Sequence, residues 1–256
     1  MNWPQSSALK RLSKSAAGLA AVAAIMGLGA CADTASTPLP RLDPPKALYA
    51  AVTDDGFNVP APPIKKIPPQ FLRQVVDTPA NIPGDADEGT VVVDPADKFL
   101  YLILGGGKAM RYGIGVGKEG FAWAGEAQVK DKQHWPKWFP PDDMIVRDPR
   151  LKKFAKGEDG GPENPLGARA MYLWSGNVDT LYRIHGTNDP LSIGKAASSG
   201  CVRMLDQDVI DLYERVPLGT KVIVLAADGS QSLEDIMKAQ QSTLPIKAPP
   251  APTPQG

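Results

Sequence analysis

The chain has 256 residues, 43% hydrophobic and 22% charged, with 28 basic residues balanced by 28 acidic ones. That length leaves room for one good-sized domain plus appendages, and a neutral chain with no basic run argues against nucleic acid as a partner. Two histidines, two cysteines and no CxxC or HxxxH spacing give no basis for a metal cage, and no cofactor is expected.

Lys10, Arg11 and Lys14 precede an apolar run of small residues from Ala16 to Gly29. The run has the length of a signal h-region and falls short of the roughly 20 residues that span a bilayer. It ends in Leu28-Gly29-Ala30-Cys31, which resembles a bacterial lipobox. The resemblance makes residues 1–30 a lipoprotein signal peptide and Cys31 the lipidated residue; a cleaved signal followed by a chance cysteine is the alternative. Ala32, not Asp, follows Cys31, so the usual inner-membrane retention signal is missing. The expected location is the periplasm, with a lipid anchor in the outer membrane. Once Cys31 is acylated, Cys201 is the remaining thiol and no internal disulfide can form.

From residue 31 to 87 prolines recur and apolar periodicity is weak, the pattern of a Pro-rich tether in extended polyproline II. Two pieces within it, Ala47 to Val52 and Gln70 to Val76, are able to pack locally. Residues 227–256 read as a C-terminal helix, Ser230 to Gln241 with Ser232 as N-cap, followed by a disordered Pro-rich tail.

The catalytic-sized core spans 88–226. Thr90 to Val93 and Phe99 to Leu104 read as strands joined by the turn Asp94-Pro95-Ala96-Asp97, and Gly105-Gly106-Gly107 reverses the chain toward Ala109 to Val116. Glycines 113, 115 and 117 do not match GxGxxG and open no helix, which excludes a dinucleotide loop. Lys132 to Met144, with Trp135 and Trp138 among prolines, is a loop whose aromatics either plug the domain or wall a cleft; His134 within it reads as a surface or packing residue. Ala170 to Trp174 and Leu181 to His185 form a hairpin around Ser175-Gly176-Asn177. Asp206 reads as the cap of a helix burying Val209, Ile210, Leu212, Tyr213 and Val216, and Lys221 to Leu225 closes the domain as a strand. Many strands and one clear helix predict a mainly β fold.

The chemistry concentrates in Ile184-His185-Gly186-Thr187 and Ser198-Ser199-Gly200-Cys201-Val202-Arg203-Met204. A thiol of ordinary pKa near 8.5 needs an adjacent base to act as a nucleophile at neutral pH. His185 ends a strand and Cys201 follows a loop, so one reversal can bring them together. Gly200 permits close backbone approach, and N–H groups around Ser199 to Cys201 can form an oxyanion hole. Arg203 suits a carboxylate ligand or a structural ion pair equally. A lone cysteine is also often a small buried hydrophobe, and spacing alone does not separate a cysteine hydrolase from an acyltransferase.

The run His185-Gly186-Thr187, Gly194 and Ser198 to Met204 resembles the signature of L,D-transpeptidases with the YkuD-like catalytic domain. Val91-Val92-Val93-Asp94 with Leu100-Tyr101-Leu102, Trp138 to Met144, and Asn164-Pro165-Leu166-Gly167 are similar to the family's opening hairpin, its Trp-Pro-Pro-Met segment and the turn before its catalytic strands. The resemblance implies a β-sandwich or barrel with one or two short helices. It also implies Cys201 as nucleophile, His185 as general base and the Gly200 backbone in the oxyanion hole. Ser199, Arg203, Gly186, Thr187 and Trp138 are the residues expected to line the substrate. Peptidoglycan stem peptides are the implied substrate, with a second stem or an outer-membrane protein lysine as acceptor. A hydrolase (L,D-carboxypeptidase) on the same scaffold and a non-catalytic peptidoglycan-binding lipoprotein are the other readings. Two departures stand out: Ser199 where the family often has His, and Phe121 to Gly125 where many members have a Thr-Pro-x-Gly turn.

Overall fold

The computed structural model describes residues 45–117, 123–198, 201–227 and 231–232. The signal segment, Cys31, Ser199, Gly200 and most of the expected C-terminal helix lie outside these residues.

Short elements come first: α1 (Pro45–Leu48), a hairpin of β1 (Val52–Asp54) and β2 (Phe57–Val59), 3-10 turns at Ile64–Lys66 and Pro69–Phe71, and β3 (Gln74–Asp77). There follow β4 (Val91–Asp94), β5 (Phe99–Gly105), β6 (Lys108–Gly113), β7 (Val116–Gly117) and the long β8 (Trp123–His134). After α2 (Asp142–Arg147) and a 3-10 stretch at Pro149–Phe154 come β9 (Arg169–Ser175), β10 (Val178–His185), β11 (Ala196–Ser198) and β12 (Val202–Arg203). The chain ends its described course with α3 (Asp206–Arg215), β13 (Lys221–Val224) and β14 (Gln231–Ser232).

One ten-stranded mixed sheet dominates, in the order β12-β10-β9-β8-β13-β4-β5-β6-β3, with β14 beside β8. Its parallel pairs on this path are β10/β12 and β13/β4; the other neighbours run antiparallel. Alternation along the strands sends Val91, Val93, Leu102, Met110, Leu173, Ile184 and Val202 to one face. There they meet Val209, Leu212 and Val216 of α3 in a single apolar cluster. Strands from β12 to β6 thus share one core with α3. The fold is mainly β, as expected, built on one large mixed sheet. Val92, Tyr101, Ile103, Ala109 and Ile223 fill a smaller cluster on the opposite face.

Three expectations are corrected. Lys132 to His134 are not loop: they complete β8, whose inward side chains are Ala127 and Val129. Gln231 and Ser232 form a strand paired with Trp123 and Ala124, not the first turn of a helix.

The third correction is the larger. The described part of the Pro-rich segment, from Pro45 on, is stitched into the domain. β3 pairs with β6 from Gln74↔Arg111 to Asp77↔Lys108. The Tyr49 hydroxyl donates to both Asp208 carboxylate oxygens, at 2.9 and 3.0 Å, and accepts from the Arg73 N–H at 2.7 Å. Arg73 pairs in turn with Asp211 at 2.7 Å. Proline fixes φ and removes donors, so this arm makes little ladder of its own; it docks through polar side chains instead. At the hairpin, Asp54 takes a bidentate pair from Arg169, at 2.6 and 2.7 Å, and the Trp135 indole N–H at 2.9 Å. Burial opposes the Asp54 charge, but the Arg169 bonds outweigh it and hold this carboxyl below its usual range. The Arg169 side chain is only 3% exposed. Asp54→Ala strands that guanidinium, and we expect a loss of about 3–5 kcal/mol, read as a lower midpoint in denaturant; an unchanged midpoint would show the hairpin to be idle.

Candidate active site

β10 and β12 pair in parallel with Ile184 opposite Val202 and His185 opposite Arg203. Cys201 precedes β12 directly, opposite Arg183. Ile184 and Val202 are fully buried in the core, so period-2 alternation turns His185, Arg183, Cys201 and Arg203 to the other face. His185 and Cys201 are diagonal neighbours across this parallel pair. The two residues that the sequence analysis singled out thus lie on neighbouring strands and on one face. Arg183 is the residue that reasoning missed, although counting back two positions from His185 on its strand finds it.

His185 is 4% exposed, and its Nδ1 donates to the Gly186 carbonyl at 2.6 Å. That bond assigns the proton to Nδ1 and leaves Nε2 with its lone pair. Burial, aided by the Arg203 and Arg183 charges, lowers the ring's pKa to about 4, against the pull of the Gly186 and Leu166 carbonyls. His185 is therefore a neutral imidazole at neutral pH. Cys201 is half-buried. Burial pushes its thiol up, with Arg183 and Arg203 pulling the other way. The resting pair is thiol and imidazole, not thiolate and imidazolium.

The surrounding groups hold this face. Arg183 lies 4.3 Å from the centre of the Tyr172 ring and makes a bidentate pair with Asp179 at 2.7 and 2.8 Å. The Tyr172 hydroxyl donates to Gln133 at 3.0 Å. Among the described residues no carboxylate lies within 4.0 Å of Arg203; Asp189 acts on it from farther away. Burial lowers the pKa of Arg203, and its charge stands beside the thiol ready for an anionic partner.

The other expected site residues divide. Gly186 has no room for a Cβ, which would collide with Asp206 Oδ1. Thr187 is 5% exposed, its N–H donates to Asp206 at 3.2 Å and its hydroxyl accepts from the Asp189 N–H at 3.0 Å. Both residues build the turn behind His185. Trp138 is bonded through its backbone to Glu158 and lies 6.1 Å from the Phe154 ring; its partners are not on the strand pair that carries Cys201. Trp135 is the aromatic that plugs the domain, its ring tilted 42° against Phe57 with centres 4.6 Å apart. His134 pairs with Asp55 at the surface. Asn164 is buried and spans its loop, donating to the Pro136 and Asp159 carbonyls at 3.1 Å and accepting from the Leu166 N–H at 2.8 Å. Asp206 does not cap its helix: Leu205 holds the N-cap position, without a side-chain bond.

Comparison with known proteins bears on this geometry. The family model for the L,D-transpeptidase catalytic domain (YkuD) matches residues 88–224. The Probable L,D-transpeptidase YbiS of Escherichia coli K12 is 32% identical over 151 residues, which are 55% of this chain and 45% of that protein. The Probable L,D-transpeptidase ErfK/SrfK of Salmonella typhimurium is 31% identical over 187 residues, 66% of this chain and 56% of its own. The chain thus spans about half the length of these curated relatives. A solved structure described as a probable carnitine operon oxidoreductase caia from Brucella melitensis is 51% identical, covers 62% of this chain and 96% of its own, and superposes with a TM-score of 0.42. The family match runs over more than half of the chain and takes in both His185 and Cys201; this protein belongs to the L,D-transpeptidase catalytic domain family.

Proposed function

We propose that the protein is a cysteine-dependent L,D-transpeptidase acting on peptidoglycan stem peptides through a thioester. The observation that carries this reading is the shared face of β10 and β12, where Cys201 lies diagonal to a neutral His185 whose Nδ1 is already committed to Gly186. His185 Nε2 takes the thiol proton as the sulfur attacks the carbonyl carbon of the donor's L-to-D peptide bond. Backbone N–H groups of Gly200 and Cys201 hold the tetrahedral oxyanion. Collapse breaks the C–N bond, the imidazolium proton goes to the departing D-residue's amine, and a thioester remains. An acceptor amine then attacks the thioester, gives its proton to Nε2, and the sulfur leaves and is reprotonated. Arg203 is the group for a donor carboxylate, since it is charged, half-buried and without an ion pair among the described residues.

A stem-peptide amine and an outer-membrane protein lysine are both suitable acceptors, and the lipid anchor at Cys31 would keep the enzyme in the periplasm against the outer membrane. Mass spectrometry of a tetrapeptide donor, with and without an amine acceptor, tests the reaction. A joined product is expected; a trimmed peptide alone would make the protein a hydrolase. Labelled palmitate should enter the wild-type chain and not Cys31→Ser, and equal labelling of both would end the lipoprotein reading.

A further inference from the structure

We propose that Asp206 is the positioning residue of this site: its carboxylate joins the two backbone turns that orient the His185 ring toward Cys201. The inference rests on the catalytic reading of that pair. Asp206 Oδ1 accepts from the Ala168 N–H at 3.0 Å and from the Thr187 N–H at 3.2 Å. Those N–H groups belong to two separate turns. One follows Leu166, whose carbonyl faces the His185 ring, and the other contains Gly186, whose carbonyl receives the Nδ1 proton. A single oxygen therefore sets the spacing of both carbonyls around the imidazole.

Space confirms that the oxygen belongs there. A Cβ on Gly167 or on Gly186 would fall on Asp206 Oδ1, so both turns have given up side chains to admit it. Gly167 also adopts φ +62, which glycine tolerates without strain.

The helix behind the carboxylate is fixed just as firmly. Gln207 Nε2 donates to the Ala50 and Pro60 carbonyls at 3.3 and 3.0 Å, and Asp208 holds Tyr49. Three consecutive residues at the start of α3 thus connect the docked arm to the turn under His185. Asp206 is the first residue of α3, and the N-cap position before it is held by Leu205 without a side-chain bond.

The test compares Asp206→Ala with Asp206→Asn in the full chain. Asparagine keeps a side-chain carbonyl for both N–H groups and loses only the charge. We expect kcat for a tetrapeptide donor to fall about 10- to 100-fold in Asp206→Ala with KM little changed, and to return to within about threefold of wild type in Asp206→Asn. Nitrogen-15 NMR of the imidazole provides a second reading, made in the Cys201→Ala background so that no turnover is required. His134→Gln removes the only other histidine. Wild-type position 206 should give one Nδ1–H tautomer, and Asp206→Ala a mixture. Should Asp206→Ala fail to fold, Asp206→Ser, too short to span both turns, takes its place. A folded Asp206→Ala or Asp206→Ser protein with wild-type kcat and a single Nδ1–H tautomer overturns the proposal. If the wild-type chain itself proves inactive the catalytic reading falls, and the tautomer measurement still decides for or against Asp206.

Discussion

Cys201→Ala should abolish the acyl-enzyme. Incubated with a tetrapeptide donor, the wild-type chain is expected to gain the mass of the trimmed acyl group, and the variant to gain nothing. Turnover should fall by at least about 10³-fold, the scale on which loss of a nucleophile is felt. The fold should survive, because Cys201 lies on the face opposite the core and the neighbouring Val202 keeps its place there. A stability change within about 1 kcal/mol is expected for a substitution that opens no core cavity. Full turnover in a folded Cys201→Ala protein would sink the nucleophile assignment.

Replacing the base should cost nearly as much. General base catalysis is typically worth about 10²–10⁴-fold, and His185→Gln should lose that factor in the rate of thioester formation. The pH profile carries a sharper expectation. The imidazole acts only when unprotonated, and burial places its pKa at about 4, below the ordinary value of 6.5. Lowering the pH therefore leaves the base competent through pH 6 and 5, and activity should collapse only as the pH passes through about 4. Stability follows the same sign: the folded state excludes the charged ring, so this residue's contribution is complete above pH 6.5 and is lost as the pH falls toward 4. Burial raises the carboxyl of Asp206 to about 6, which provides a clean contrast. An acid limb near 6 would mean that the charge on Asp206, and not the protonation of His185, limits the reaction. Thiol alkylation gives the matching check at the other end, since a thiol raised by burial should react slowly at neutral pH and faster as alkali is added.

The candidate pair was legible because chemistry resides in residue type and short spacing. A cysteine preceded by a glycine and a strand-end histidine are local facts, and strand parity then brings Cys201 and His185 to one face. Asp206 was misread for a physical reason: an aspartate at the start of a helix has a strong local option in capping, and here its carboxylate accepts instead from the tertiary N–H donors of Ala168 and Thr187. β8 was hidden because one of its faces is wet, so that Ala127 and Val129 are the buried apolar side chains in a twelve-residue strand. The docked arm gave only a partial sign: Ala47 to Val52 and Gln70 to Val76 read as able to pack locally, and they carry Tyr49 and the start of β3, but their partners could not be read. Tyr49 finds Asp208 across 159 residues, a distance over which no periodicity or composition speaks.

Were the chain lipidated at Cys31, that docked arm would also set how far the thiol can work from a membrane. A chain tethered at Cys31 and loose up to residue 87 would reach roughly 190 Å when fully extended. Cys31 lies fourteen residues before Pro45, so the chain length allows it to be at most about 50 Å from the docked arm. A lipid at Cys31 would then hold the thiol on a short leash, so acceptors would be chosen by their height above the bilayer as much as by their chemistry.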